Sequence, residues 1–182
     1  MSALKSGTAE LHRQLERRLA GAERFTQRER YVEHLARLAN FHGAAEARWS
    51  RYLCPVLCDF DARRKFALLK RDLAYLGGDA RGAAELPPIG DSAAALGAFY
   101  VLEGATLGGQ HLLTVVERTL GLDAAHGASY LASYGPAVRV MWARFGQQVE
   151  AHCREPALVL RAVDAARATF AALEDCLCEV RA

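Results

Sequence analysis

Tyr100-Val101-Leu102-Glu103-Gly104-Ala105-Thr106-Leu107-Gly108-Gly109-Gln110 lies inside a run that keeps helical periodicity from a cap at Asp91 or Ser92 to about Leu120, just before Gly121. Gly97 falls in the same run, so one predicted helix carries four glycines. Each costs about 1 kcal/mol relative to alanine in a helix interior, and four cost about 4 kcal/mol. That is a large share of a typical stability of about 5–15 kcal/mol. Something must need bare backbone at that surface. Gly104 and Gly108 stand one turn apart on one face, with Gly97 close to it. Two readings fit: a neighbouring helix packs closely there, or a planar ligand lies against the backbone with room above it for a diatomic molecule. Glycines would also let the helix bend over a ligand.

The rest of the chain is helical by the same test. Leu4, Thr8, Leu11, His12, Leu15 and Leu19 make one stripe from about Ala3 to Ala20. Thr26 with Glu29 reads as a capping box for a long second helix through Tyr31, Leu35, Leu38, Phe41 and Trp49 to Leu53, interrupted at Pro55. A third covers about Arg63 to Leu76 and stops at Gly77-Gly78. Residues 79–91, with Pro87-Pro88, read as a loop. After the glycine-bearing helix come a short piece near Ala125–Tyr134, a helix from Pro136 to about Cys153, and a last one from Pro156 to near Val180. No alternating Val/Ile/Thr-rich segment reads as a strand. The expected fold is a single all-α domain over residues 1–182.

Composition narrows the function. Hydrophobic residues are 52% of 182, enough for a packed core. A net charge of +2 is too balanced for a nucleic-acid partner. No apolar run approaches the roughly 20 residues of a membrane span, and Met1-Ser2-Ala3-Leu4-Lys5 lacks a signal-peptide design, so a cytoplasmic protein is expected. The basic runs Arg63-Arg64-Lys65 and Lys70-Arg71 read as solvated faces, or as a docking patch for an acidic protein. Five cysteines, an odd number without zinc spacing, read as buried thiols in a reducing compartment. Phosphate-loop, nucleophile-elbow and Rossmann signatures are absent.

His12 gives the glycines a counterpart. Lys5 lies seven residues before it, about 20° away around the helix and about 10 Å along it. If His12 Nε2 binds an iron at the centre of a porphyrin, Lys5 reaches the rim, where its ammonium suits a propionate. Glu16, one turn after His12, can accept the other ring N–H and fix the tautomer. The alternative is a histidine with a purely structural role. His111, seven residues after Gly104, is a competing or sixth ligand candidate. His34 and His42 have no matching acidic or thiol partner in sequence, and His126 and His152 read as loop and surface residues.

Taken in order, these segments resemble the heme oxygenase family. Leu4-Lys5…Thr8…His12…Glu16 is similar to its proximal-helix motif, and Tyr100-Val101-Leu102-Glu103-Gly104-x-Thr106-Leu107-Gly108-Gly109 to its distal-helix motif in bacterial members. Tyr134-Gly135…Trp142-Ala143-Arg144-Phe145 and Ala168-Thr169-Phe170-Ala171-Ala172-Leu173-Glu174 also match, so the likeness spans almost the whole chain. It implies a helical bundle holding heme between a proximal and a glycine-bent distal helix. It implies His12 as iron ligand with Glu16 as its partner, and Lys5 and Tyr100 at propionates. Thr8 falls in the same proximal motif and joins the cofactor-binding set. Gly104 and Gly108 map to the catalytic distal glycines, and Phe170 to an aromatic heme contact. The implied reaction cleaves heme, both substrate and cofactor, to biliverdin, carbon monoxide and ferrous iron. It uses O2 and electrons from an external donor: a ferredoxin, a flavin reductase or a small reductant. The distal segment is nearest the branch that supplies biliverdin to bacteriophytochromes, which makes such a photoreceptor the expected acceptor.

One position departs from the pattern. Many members carry an aspartate after the first distal glycine, where it anchors proton-delivering waters; here it is Ala105. Glu103, Thr106 and Gln110 are the nearby polar residues. The departure keeps a non-catalytic heme-binding or trafficking protein as the alternative function, with a scaffold for another small molecule as a third.

Overall fold

In the computed structural model, which describes residues 1–20 and 23–178, helix α1 spans Ser2–Ala20 and α2 Arg28–Leu53. Two short-to-medium helices follow, α3 Phe60–Arg63 and α4 Phe66–Leu76. The glycine-bearing helix is α5, Ser92–Leu120, and α6 is the single turn Ser129–Ala132. After a 3-10 turn at Gly135–Ala137 come α7, Val138–His152, and α8, Pro156–Cys178. The expected end of α8 near Val180 lies outside the described residues. None of the described helices is long and apolar enough to cross a membrane.

Local signals set several boundaries. The Asp91 side chain accepts from Ala94 N–H and opens α5; Gly121 at φ +67 closes it. Gly77 at φ +75 ends α4 in the same way. The expected capping box at Thr26 does not form. Thr26 Oγ1 instead donates to Glu23 O, and Gln27 is the residue that precedes α2. The reason is a tight turn in which both Thr26 N–H and Gln27 N–H donate to Glu23 O, so the chain enters the helix one residue later.

The third predicted helix is broken, by a contact no local signal announces. Glu46, a buried residue of α2, accepts the backbone N–H groups of Lys65 and Phe66 at 2.7 and 2.8 Å and so starts α4 from another helix. Arg64 is extended at that point, which separates α3 from α4.

The last helix organises the bundle: α8 packs along both α5 and α1. A Cβ on Gly97 of α5 would sit 1.9 Å from Ala162 O, and one on Gly7 of α1 would sit 2.7 Å from Val163 Cγ1. Further along, Gln14 and Arg18 of α1 reach the buried Glu174 carboxylate of α8. By contrast, α1 and α5 are not packed along each other. They meet where the Tyr100 hydroxyl faces the Thr8 hydroxyl. One turn beyond that contact stand His12 on α1 and Gly104 on α5.

Candidate functional site

The four glycines of α5 divide into two pairs. Gly97 is filled by the α8 backbone, and Gly109 by Leu131 O, 2.9 Å from where its Cβ would be. Close packing explains both. Gly108 is different: among the described residues, a Cβ there would meet nothing within 4 Å. Gly104 faces only the edge of the Trp142 indole, 3.6 Å away, an ordinary contact distance. No packing demand accounts for the missing side chains at 104 and 108. Leu107, between them, is 40% exposed, a large apolar side chain left at the same surface.

On α1 the His12 side chain is 55% exposed, with Nδ1 3.4 Å from a Glu16 carboxylate oxygen. Nε2 has no protein partner among the described residues. The imidazole stands edge-on to Phe170 of α8, ring centroids 5.9 Å apart at 84°, and Phe170 itself is buried. The ring is therefore steered by a carboxylate on one side and an aromatic on another, with one nitrogen free. Lys5, one face with His12, is exposed and makes no ion pair among the described residues. Thr8 is buried, its hydroxyl donating to Leu4 O at 2.7 Å and facing Tyr100. Burial pushes the Tyr100 phenol up, while the Thr8 contact pulls the other way.

Two contacts join these residues across elements, Thr8 with Tyr100 and His12 with Phe170; Lys5 and Glu16 share the α1 face of His12, and Gly104 and Gly108 follow Tyr100 along α5. A flat group with a central metal fits what these residues offer: one free imidazole nitrogen, a bare helix face, a cation and a phenol. Elsewhere among the described residues, no three His, Cys, Asp or Glu side chains come together as a metal site.

The polar residues near Ala105 are already committed. Thr106 Oγ1 donates to Glu103 O, and the Gln110 amide donates to Ala132 O at 2.9 Å. Glu103, 2% exposed, is bound by the Arg63 guanidinium and by the Tyr134 hydroxyl at 2.9 Å. Arg63 also chelates Asp59 through two bonds of 2.8 Å, and Lys65 Nζ lies 3.6 Å over the Tyr134 ring. Burial pushes the Glu103 carboxyl up against the pull of Arg63, and pushes Lys65 down to about 8. These contacts correct the reading of Arg63-Arg64-Lys65 as a solvated basic face, since Arg63 and Lys65 are buried. Asp59 apart, their partners lie on other elements, so Arg63 and Lys65 are internal counter-charges, while Arg64 between them is exposed.

His111 is exposed on α5 and makes no ion pair among the described residues. His34 and His42 are buried core histidines, both pushed down to about 3 chiefly by burial. The cysteines are mixed. Cys153 is buried as expected, whereas Cys54 and Cys58 are exposed because Pro55 ends α2 and leaves them in a surface turn. Two hollows among the described residues lie away from His12 and the α5 glycines. One, of about 460 Å³, sits between α2, residues 81–87 and the far side of α8; the other, of about 580 Å³, sits between the end of α2 and Pro87-Pro88. Neither includes a predicted site residue.

The chain is 36% identical over 118 residues, 63% of its length and 68% of the relative's, to a heme oxygenase of Xanthomonas campestris pv. campestris (strain 8004). Its fold superposes on the NO- and CO-bound heme oxygenase from Neisseria meningitidis with a TM-score of 0.86, at 23% identity, over 96% of this chain and 87% of that one. The heme oxygenase from Leptospira interrogans superposes with a TM-score of 0.77 at 17% identity, covering 98% of both chains. The all-α class and the bundle expected from the sequence are those of these two structures. The heme oxygenase sequence profile matches residues 1–179, which takes in both the helix with the free imidazole and the helix with the bare face, and the chain belongs to the heme oxygenase family.

Proposed function

We propose that the cleft between α1 and α5, floored by α8, is where this heme oxygenase holds the heme it degrades. His12 Nε2 takes the iron, and Glu16 orients the imidazole through Nδ1. Lys5 and Tyr100 serve the propionates, with Thr8 setting the Tyr100 hydroxyl, and Phe170 buttresses the imidazole from α8. Gly104 and Gly108 give the distal face of the ring a surface without side chains, leaving space for O2. Bound there, heme supplies the redox chemistry by which O2 and external electrons open its own ring to biliverdin, carbon monoxide and ferrous iron. The observation that carries this reading is the division of the α5 glycines: Gly97 and Gly109 are filled by neighbouring backbone, while Gly108 is open and Gly104 meets only an indole edge.

With Glu103, Thr106 and Gln110 bonded to protein, none is left to replace the aspartate missing at Ala105. Ala105 is itself exposed. Protons therefore arrive through water at the exposed α5 surface. The same observation is what favours the second reading, a heme-binding protein without ring cleavage.

The electron donor is external, of the ferredoxin, flavin-reductase or small-reductant class. A cytoplasmic location and a bacteriophytochrome as biliverdin acceptor complete the proposal; the latter rests on the likeness of the distal segment to one bacterial branch. Reconstitution with hemin followed by reductant in air tests the whole reading. Decay of the Soret band with growth of biliverdin absorption supports it. A Soret band that persists through reduction in air, with no biliverdin, favours the second reading.

A further inference from the structure

We propose that Trp142 is the side wall of the heme cleft and a specificity-determining residue, which sets how the macrocycle is turned in its plane and so which meso bridge is cleaved. The inference rests on the α1–α5 cleft being the heme site. Apart from α5 itself, Trp142 alone among the described residues comes within 4 Å of the Cβ position of Gly104, through Cη2 at 3.6 Å and Cζ3 at 3.8 Å. One turn on, the Gly108 face is open. A disc laid on this face has free room over Gly108 and is stopped at Gly104 by an indole edge.

The indole is held in place. It packs at a tilt against Tyr100, centroids 5.4 Å apart at 45°, and against Phe145, 5.9 Å apart at 30°. Phe145 is fully buried against Phe99 and beneath the Arg63 guanidinium. The helix that carries Trp142 is also tied to the proximal helix, because the Met1 ammonium pairs with Glu150 at 3.2 Å and Met1 covers Gly146. Trp142 therefore touches the distal helix while its own helix grips the start of the proximal one. Yet Trp142 is only part-buried, and its indole N–H donates to no protein group among the described residues. A core aromatic would be enclosed like Phe145; this one keeps an uncovered part beside the cleft.

Its chemistry selects between the edges of heme. One edge of the macrocycle carries two ionised propionates, and the others carry methyl and vinyl groups. Trp142 packs against Tyr100, which serves a propionate, so the indole meets the rim beside the propionate edge, where its apolar surface takes the neighbouring methyl or vinyl group and its bulk bars a further turn of the ring. Lys5, on the proximal helix, favours the propionates. A wall beside Tyr100 and a cation at Lys5 together fix one in-plane rotation, and the bridge brought towards Gly104–Gly108 follows from it.

The test uses the hemin-loaded protein and the variants Trp142→Phe, Trp142→Leu and Trp142→Ala. The hyperfine-shifted heme methyl resonances of the cyanide-bound ferric form report in-plane seating without turnover, and chromatography of the biliverdin isomers reports the outcome of turnover. In Trp142→Ala and Trp142→Leu a second seating should rise to a tenth or more of the population, with a matching rise of a second isomer. Trp142→Phe should shift both less. Wild-type methyl patterns and isomer ratios in every variant that folds would overturn the proposal, and the Phe variant alone decides it if the smaller ones unfold. Failure of the wild-type chain to take up hemin through His12 would sink the heme-site reading instead, so the two failures are distinguishable.

Discussion

A Cβ added to Gly97 would lie 1.9 Å from the carbonyl oxygen of Ala162, whereas one added to Gly108, three turns along the same helix, would touch nothing within 4 Å. The two positions should therefore respond to alanine with opposite sign. Gly97→Ala forces α5 and α8 apart at a backbone contact and should cost about 3 kcal/mol or more. Gly108→Ala gains helix propensity without a clash and should stabilise the ligand-free protein by about 1 kcal/mol, or about 2–4 °C in Tm for a chain of this size. The same methyl intrudes on the proposed heme surface, so hemin affinity should fall by about an order of magnitude, the scale of a 1–3 kcal/mol overpacking cost. Thermal unfolding and hemin titration check both halves. A Gly108→Ala variant that is more stable and binds hemin unchanged would remove the bare face from the site.

The His12–Glu16 pair leads to a graded prediction. His12→Ala should lose proximal ligation, seen as a changed Soret band in the hemin complex, and should lose ring opening. Added imidazole should restore part of the spectrum by filling the vacated position. Glu16→Gln keeps the shape and removes the charge. Because Glu16 is 65% exposed, its effect should sit near the low end of the usual 10–100-fold range for groups that orient a metal-bound imidazole, about tenfold in activity. An unchanged Soret band in His12→Ala would place the iron elsewhere.

Glu103 and Arg63 form a buried charge pair in the wall beneath α5, 2% and 0% exposed in their side chains. Removing the carboxylate leaves the guanidinium with Asp59 and Met141 O and leaves the Tyr134 hydroxyl without its acceptor. Because Asp59 still pairs with Arg63, Glu103→Ala should cost about 3 kcal/mol, the low end for a broken buried pair, in urea unfolding of the ligand-free protein. Tyr134→Phe deletes only a hydroxyl donor and should cost about 1 kcal/mol. Equal costs for the two would show that Arg63 finds other compensation.

Helix order and the limits of α5 were legible in the sequence because the signals are local: apolar spacing, Asp91 at one end, Gly121 at the other. His12 with Glu16 was legible for the same reason, since residues four apart share a helix face. What escaped was set by partners distant in sequence. The break between α3 and α4 depends on Glu46, about twenty residues upstream. Arg63 and Lys65 looked solvated because Glu103 and Tyr134, which bury them, lie on α5 and in the turn before α7. The glycines were countable, but which two pack and which two do not depends on where Ala162 and Leu131 arrive. Trp142 entered only as one residue of the Tyr134–Phe145 motif; its approach to Gly104 is what sets it apart.

Acid sensitivity follows from the core histidines. Burial, reinforced by the nearby Lys65, pushes His42 down to about 3, and its other neighbours are Glu46 and the Tyr130 hydroxyl. His34 is held equally low by burial, with Arg24 and Arg37 adding to the effect. An unfolded histidine titrates near 6.5. Below that pH the unfolded chain takes up protons that the folded chain refuses, so stability falls from about pH 6.5 towards pH 3 and is unaffected above. Each histidine contributes a slope of up to about 1.4 kcal/mol per pH unit within that window. Asp59 and Glu174, whose carboxyls are held low, add a loss of the same sign only as carboxylates begin to protonate, at lower pH. Between pH 6 and pH 5 the difference between wild type and a His42 variant cancels the carboxyls, including the raised Glu103, and isolates His42. Urea unfolding of wild type and His42→Gln at pH 7, 6 and 5 should give a variant whose stability falls less steeply by roughly 1 kcal/mol per unit in that interval. Parallel curves for the two proteins would mean that His42 is charged in the folded state, paired with Glu46.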